Sequence, residues 1–524
     1  MFDILIKNGI VYDGTGSDGE KLDVAINGDS IVAIGRLETS AATQLIDASG
    51  KAVAPGFIDC HSHSDLSAIT NPLAESKVFQ GVTTEIVGNC GVSAAPFHTE
   101  VLNGFLADFS DQLESKPSWH SLDDYFELVS KRGTSVNIAS LIGHGNVRLL
   151  VVGLDEGLAT PEQLRRMRQL IEQCVEQGAV GLSTGLIYPP GMYADTNELV
   201  ECARALKTAH GIYASHIRSE GDKLIEAICE TIEIGRRAEV PVHISHLKTS
   251  GKANWSKLDR VFEEIEQARN EGVRVTCDRY PYIAGATWLA AVLPDWAQAG
   301  GRDLILDRLR DVSRRARIQT ELEQANPAGD RWYRVMVTSV KDRVGEDFEG
   351  LTVAEIAGMR GVEPAAAVVD LLIETDLGAG AITFSMCEEN MRRILKKPYV
   401  MIGSDAWAIR VDDERGKVHP RAYGTFPRVL GRLVREGLFS LAEAVHKMTG
   451  MPAETFRLAK RGFLREGCFA DVVVFDPDRI MDPATYEKPN QYPAGIECAI
   501  VNGRVTVQNG SHTGARAGRV LRGT

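Results

Sequence analysis

Short apolar runs and amphipathic stretches alternate through the middle of this 524-residue chain. Eight runs read as strands: AVAPGFIDC, TTEIVGN, NIASLIGHG, AVGLSTGL, IYASHIRS, VPVHISHLK, VRVTCDRYPY and YVMIGSDAW. Between several of them, PEQLRRMRQLIEQCVEQ, DKLIEAICETIEIGRRA and SKLDRVFEEIEQARNEG place apolar residues at helical spacing. Eight strands separated by helices predict a closed parallel (β/α)8 TIM-like barrel over residues 56–454, rather than an open sheet. Residues from about 286 to 397 are more than one βα unit needs, and predict a mostly helical insertion between strands seven and eight.

The two ends have a different texture. FDILIKNGIVYD, LDVAINGDSIVAIG and TQLIDASGKAVAPG alternate β-branched and polar residues between Asn-Gly, Gly-Asp and Ser-Gly turns. ADVVVFDPDRI, ECAIVNGRVTVQNG and the final residues also read as short strands. Residues 1–55 and 455–524 are therefore expected to form one small β-sandwich domain, in a chain of α/β class.

Composition narrows the function. The chain carries 58 basic and 71 acidic side chains, a net charge of −13, which argues against nonspecific nucleic-acid or anionic-membrane binding. No apolar run reaches transmembrane length. The nine cysteines are scattered, and the opening MFDILIKNGIVYDG reads as strand and turn rather than a secretory leader. A reducing, cytoplasmic compartment is the expectation, with cysteines acting as thiols or metal ligands.

Chemistry gathers at the predicted strand ends. His61 and His63 follow the first strand, Cys90 the second and His144 the third; His216, His246 and Asp405 end the fifth, sixth and eighth. In a barrel these ends share one mouth. Each signal alone is weak: a lone HxH often binds nothing, a lone cysteine is more often a buried thiol, and an Asp in Gly-Ser-Asp is often a turn residue. Their coincidence carries the argument. A thiolate, imidazoles and a carboxylate converging at one mouth suit zinc.

Several segments then stand out together: PGFIDCHSHSD, GVTTEIVGNCG, GLSTGLIYPPG, ASHIRSEGD, HISHLKTSG, DRYPYIAG, IGSDAW, HPRAYGTFPRVLG and the closing KMTGMPAETFRL. Through them essentially the whole chain resembles the amidohydrolase superfamily, and within it the D-aminoacylase (N-acyl-D-amino-acid deacylase) branch. Hydantoinases and dihydroorotases resemble it at HxH but bridge two metals with a carboxylated lysine, whereas GNCG supplies Cys90 here. The resemblance implies a tight Zn2+ on Cys90, His216 and His246. It also implies a weaker second site on His61 and His63, with Cys90 shared.

The chemistry expected of these parts is hydrolysis of a linear amide. Zinc acidifies water and stabilises an oxyanion, while Asp405 takes the water's proton and returns it to the leaving amine. Lys248, two residues after His246, is expected to share its strand face. By resemblance, Lys248, Tyr280 and Arg421 clamp the substrate's α-carboxylate and Tyr188 faces the substrate. The branch often has serine where this chain has Ala286, although Thr287 is adjacent. His144 either lines the pocket or ties loops together. Ile187 and Trp288-Leu289 hint at an apolar side-chain pocket. The expected partner is a small N-acyl amino acid; chirality rests on the resemblance alone, and the oligomeric state is open. Two alternatives differ in kind: a cyclic-amide hydrolase, which needs no carboxylate clamp, and a metal-free scaffold, against which the full ligand set argues.

Overall fold

A computed structural model of the chain describes residues 1–37, 42–97, 119–326, 328–340, 348–413 and 416–523. Eight parallel strands form its barrel: β1 (Phe57–Asp59), β2 (Val82–Val87), β3 (Asn137–Gly143), β4 (Gly181–Gly185), β5 (Ile212–His216), β6 (Val242–Ile244), β7 (Val275–Arg279) and β8 (Val400–Ile402). Each pairs with its neighbour in chain order. Seven lie within the runs marked by the sequence, and β2 begins one residue before its run, at Val82. Their residues are almost all buried, as parallel strands covered on both faces must be. The helix Pro161–Glu176 shows how the outer ring forms. Thr160 and Gln163 make a capping box, Pro161 begins the helix, and Met167, Ile171 and Cys174 bury one stripe.

The run AVAPGFIDC is divided at Gly56. Ala52–Pro55 joins the terminal sheet, and Phe57–Asp59 starts the barrel. A Cβ at Gly56 would lie 2.2 Å from Thr83 Oγ1, so only glycine fits this crossover.

The barrel closes between β8 and β1 through the loops beyond them. Asp405 N donates to His61 O (2.8 Å), and His63 N donates to Ala406 O (3.2 Å). Beneath this seam Lys77 is fully buried and donates to Asp59 Oδ2 (2.7 Å), Ser404 Oγ (3.0 Å) and Ala406 O (2.8 Å). Glu85 lies 3.1 Å from the same ammonium and accepts from Ser62 and Ser64 at 2.6 and 2.7 Å. Lys77→Met would leave two buried carboxylates without their cation. The variant is expected to lose about 3–5 kcal/mol of stability, read as a lower denaturation midpoint at unchanged slope.

Strands from both ends of the chain share one nine-stranded sheet. Val472–Phe475, from the C-terminal part, lies antiparallel to Ala52–Pro55, which in turn pairs with Phe2–Val11. Ile4, Ile6, Val24, Ile26, Val472 and Ile500 fill its core. The last residues depart from the strand expectation. After Ser511–His512 the chain leaves the sheet and runs under the barrel, where Gly518 N donates to Thr134 O (2.7 Å) and Leu521 N to Ile138 O (2.7 Å). A backbone row with no partner left in its own sheet is satisfied at the foot of β3 instead.

The insertion contains the expected helices, Arg302–Arg310, Val312–Gln324, Val353–Arg360 and Pro364–Glu374. It also contains a three-stranded antiparallel sheet, Gly285–Trp288, Gly380–Thr383 and Val335–Ser339, with the second of these in the middle. Leu289, Trp332, Val337, Phe348 and Leu372 belong to its separate core. Its first strand brings Ala286 and Thr287 to the barrel mouth. Among the described residues no helix is long and apolar enough to cross a membrane.

Candidate active site

The polar residues sit on the turns that follow the strands, and their backbones are unusual. Cys90, His246 and Asp405 have φ of 53°, 36° and 53°, in the left-handed region that L-residues avoid. The Gly88-Asn89-Cys90-Gly91 turn is wedged against β3 and β4. A Cβ on Gly88 would meet Leu141 O at 2.2 Å, and one on Gly91 would meet Gly185 N at 2.5 Å. The glycines let the turn close that tightly, and the turn aims Cys90 inward.

Among the described residues two groups of metal-type donors result, and Cys90 belongs to both: Cys90, His216 and His246 form one, and His61, His63, Cys90 and Asp405 the other. In the first, His246 Nε2 lies 3.0 Å from His216 Nδ1 and 3.5 Å from Cys90 Sγ. In the second, His61 Nε2 lies 3.3 Å from Cys90 Sγ, and His63 Nε2 lies 3.0 Å from Asp405 Oδ1. Burial alone would push the Cys90 thiol up, but His61 and His246 hold it well below its ordinary range. A thiolate and ring nitrogens converging in a buried space form a donor set that fits zinc.

Two carboxylates that the sequence did not single out hold these rings. Asp278, on β7, lies 2.9 Å from His61 Nδ1 and 2.8 Å from His243 Nε2, and accepts from His246 N at 2.9 Å. Despite burial, His61 and His243 keep it ionised far below the usual carboxylate range. Glu220, on the turn after β5, lies 3.0 Å from His246 Nδ1 and pairs with Lys248. Carboxylates behind imidazole ligands set ring orientation and raise ligand basicity. A signal was present, since Glu220 lies four residues after His216 and Asp278 lies at a strand end. Neither differs by residue type from the chain's many other acids.

The remaining candidates fall in different places. Lys248 Nζ is 2.8 Å from His246 Nδ1, but the shared strand face is not the reason. The strand β6 ends at Ile244, and His246 and Lys248 meet across a left-handed turn. Arg421 Nη1 lies 2.7 Å from Asp405 Oδ2, and its guanidinium is 4.7 Å from the Tyr280 ring centre. Burial would raise the Asp405 carboxyl; Arg421, His246 and His63 instead hold it well below its usual range. Tyr280 is buried beside Lys248, Arg279 and Arg421, which overcome its burial and lower its phenol below the ordinary value. Tyr188 Oη lies 3.1 Å from Thr287 Oγ1, and its ring meets His216 and Trp288 edge-on. The Thr287 hydroxyl thus joins Tyr188 to the insertion, and Ala286 offers its carbonyl to Arg421 Nη2 at 3.4 Å. His144 is fully buried, 2.9 Å from a Glu198 that Arg148 shares at 3.0 Å. The contact joins the helix His144–Val151 to the helix Thr196–Arg204.

This geometry has relatives. The sequence profile of the amidohydrolase family matches residues 44–507. D-aminoacylase from Alcaligenes xylosoxydans xylosoxydans is 38% identical, over 99% of this chain and 97% of that protein. N-acyl-D-glutamate deacylase of the same organism is 37% identical, over 99% and 96%. The crystal structure of N-acyl-D-glutamate deacylase from Bordetella bronchiseptica, complexed with zinc and a phosphonate inhibitor that mimics the tetrahedral intermediate, is 34% identical. It superposes with a TM-score of 0.85, each chain covering 99% of the other. Matched across most of its length by the family profile and end to end by these deacylases, the chain belongs to the amidohydrolase family, in its D-aminoacylase branch.

Proposed function

We propose that the chain hydrolyses N-acyl-D-amino acids to a carboxylate and a free D-amino acid, using zinc. One observation carries this reading: Arg421, a cation suited to a carboxylate, lies 2.7 Å from Asp405, which itself lies 3.0 Å from His63 in the donor cluster. A substrate whose α-carboxylate rests on Arg421 therefore has its amide, a few bonds away, beside Asp405. The named relatives support the substrate class and its chirality.

Cys90, His216 and His246 would hold the tight zinc, and His61 and His63, with Cys90 shared, a weaker second one. Zinc bound there would supply a Lewis acid that acidifies water and polarises an amide carbonyl. Asp405 takes the proton from the attacking water and delivers it to the leaving nitrogen, first as base and then as acid. Arg421 and Lys248 each have a carboxylate partner, Asp405 and Glu220. A substrate carboxylate arriving between them draws cationic charge away from Asp405 and leaves it more basic. Tyr280, its phenol lowered by the same cations, donates a strengthened hydrogen bond to that carboxylate.

The test compares kcat/KM for an N-acetyl-D-amino acid and its neutral amide, in wild type and in Arg421→Met. A charge-assisted contact contributes about 1.5–3 kcal/mol, so the acid is expected to lose roughly ten- to a hundredfold. The amide, which has no anion for the clamp, should lose far less. Equal penalties would reject the clamp and return the chain to the cyclic-amide reading.

A further inference from the structure

Arg279 is a buried cation without a carboxylate. It ends β7, is 1% exposed, and among the described residues no acidic side chain lies within ion-pair distance of it. One guanidinium nitrogen is used: Nη2 donates to Tyr282 O (2.7 Å) and touches Met386 Sδ (3.0 Å). Among the described residues Nε and Nη1 find no hydrogen-bond partner. The guanidinium instead lies 4.2 Å from the centre of the Tyr280 ring. Burying an unpaired charge is costly, and unsatisfied buried donors are rare in folded proteins. A ring face compensates an arginine only partly.

The surroundings show what this charge can act on. Three cations approach Tyr280: Arg279 at 4.2 Å, Arg421 at 4.7 Å and Lys248 at 5.9 Å from the ring centre. Two carboxylates face them, Asp405 on Arg421 and Glu220 on Lys248. Among these five side chains the cations outnumber the carboxylates by one, and the cation without a carboxylate is Arg279. The pair Arg428–Asp482, on the far side at Tyr282, is neutral as a unit and does not change this count.

We propose that Arg279 is a positioning residue of the substrate clamp: its uncompensated charge, stacked on Tyr280, orients that phenol and makes the pocket select a substrate bearing one negative charge. The inference rests on the clamp reading above and deepens it. Arg421 and Lys248 pass from their protein carboxylates to the substrate's, and Arg279 supplies the surplus charge that the substrate anion balances. The arginine acts through Tyr280, without touching the substrate. Arg279 also adds to the lowering of the Tyr280 phenol.

The experiment measures kcat and KM of the zinc-loaded enzyme for N-acetyl-D-methionine and its amide, in wild type, Arg279→Met and Arg279→Lys. Arg279→Met is expected to raise KM for the acid about tenfold, with kcat changed less than about threefold and the amide unaffected. Arg279→Lys, which restores the charge, is expected to bring KM for the acid back to within about threefold of wild type. A purely structural arginine would penalise acid and amide alike, and that result overturns the proposal. Should Arg279→Met fail to fold, Arg279→Lys decides alone, because a tenfold rise in KM for the acid with charge retained also overturns it. The clamp fails separately: if wild type itself binds acid and amide equally, the reading beneath the proposal is wrong. If wild type prefers the acid and Arg279→Met preserves that preference, only the role of Arg279 falls.

Discussion

Cys90→Ala is expected to lose both metals and nearly all turnover. Its sulfur is the donor common to the two groups, 3.5 Å from His246 Nε2 on one side and 3.3 Å from His61 Nε2 on the other. Structural zinc sites bind with about 10 kcal/mol or more; on that scale one of three ligands contributes about 3 kcal/mol, over a hundredfold in affinity. Alanine supplies no donor at the position common to both groups. Other ligand variants should behave differently. His63→Ala should keep the tight zinc, and His216→Ala should lose it while sparing His61 and His63. Metal content per chain after dialysis against a fixed free zinc level separates the three. Normal zinc content with normal turnover in Cys90→Ala would dismiss both assignments at once.

Asp405→Asn is expected to keep its zinc and its fold and to lose ~100- to 10,000-fold in kcat, the range for removing a general acid–base group. The substitution is unusually clean. Residue 405 has φ of 53°, where asparagine is among the best-tolerated side chains. Its backbone N–H still reaches His61 O, so the barrel seam is preserved. What disappears is the charge facing Arg421 and the site that accepts a proton. Circular dichroism and the zinc held by Cys90, His216 and His246 should therefore match wild type while single-turnover hydrolysis is slowed. Turnover near that of wild type would remove Asp405 from proton transfer.

Much of this centre could be read in the chain, for a physical reason. Parallel barrel strands are buried on both faces, so they appear as runs such as VTTEIV and NIASLIG, and the polar residues that interrupt them fall at the mouth. Cys90 and the His61–His63 pair were visible that way. The small sheet of the insertion was not: GATW and GAIT are four-residue strands without alternation, flanked by helices. The path of the C-terminal tail depends on Thr134 and Ile138, far away in the chain. Asp278, Glu220 and Arg279 were hidden differently. Their residue types are common, and only the fold shows that one carboxylate faces two imidazoles while one guanidinium faces none. Spacing alone puts Lys248 on the strand face of His246, whereas β6 stops at Ile244 and the two side chains meet across a turn.

The left-handed backbones at Cys90, His246 and Asp405 also bias how such a centre can change by descent. An L-residue in that conformation costs about 1–2 kcal/mol, and a β-branched one more, so valine, isoleucine and threonine are poor intermediates at these positions. Aspartate and asparagine are the side chains that relax the backbone while still offering a donor atom. Random mutation therefore meets the least resistance where it exchanges sulfur or nitrogen for oxygen. A lineage drifting from Cys90 toward Asp would gain backbone stability while exchanging a soft ligand for a hard one. With His216 and His246 still present the centre would become a two-imidazole, one-carboxylate site, less selective for soft metals but one that zinc still fits.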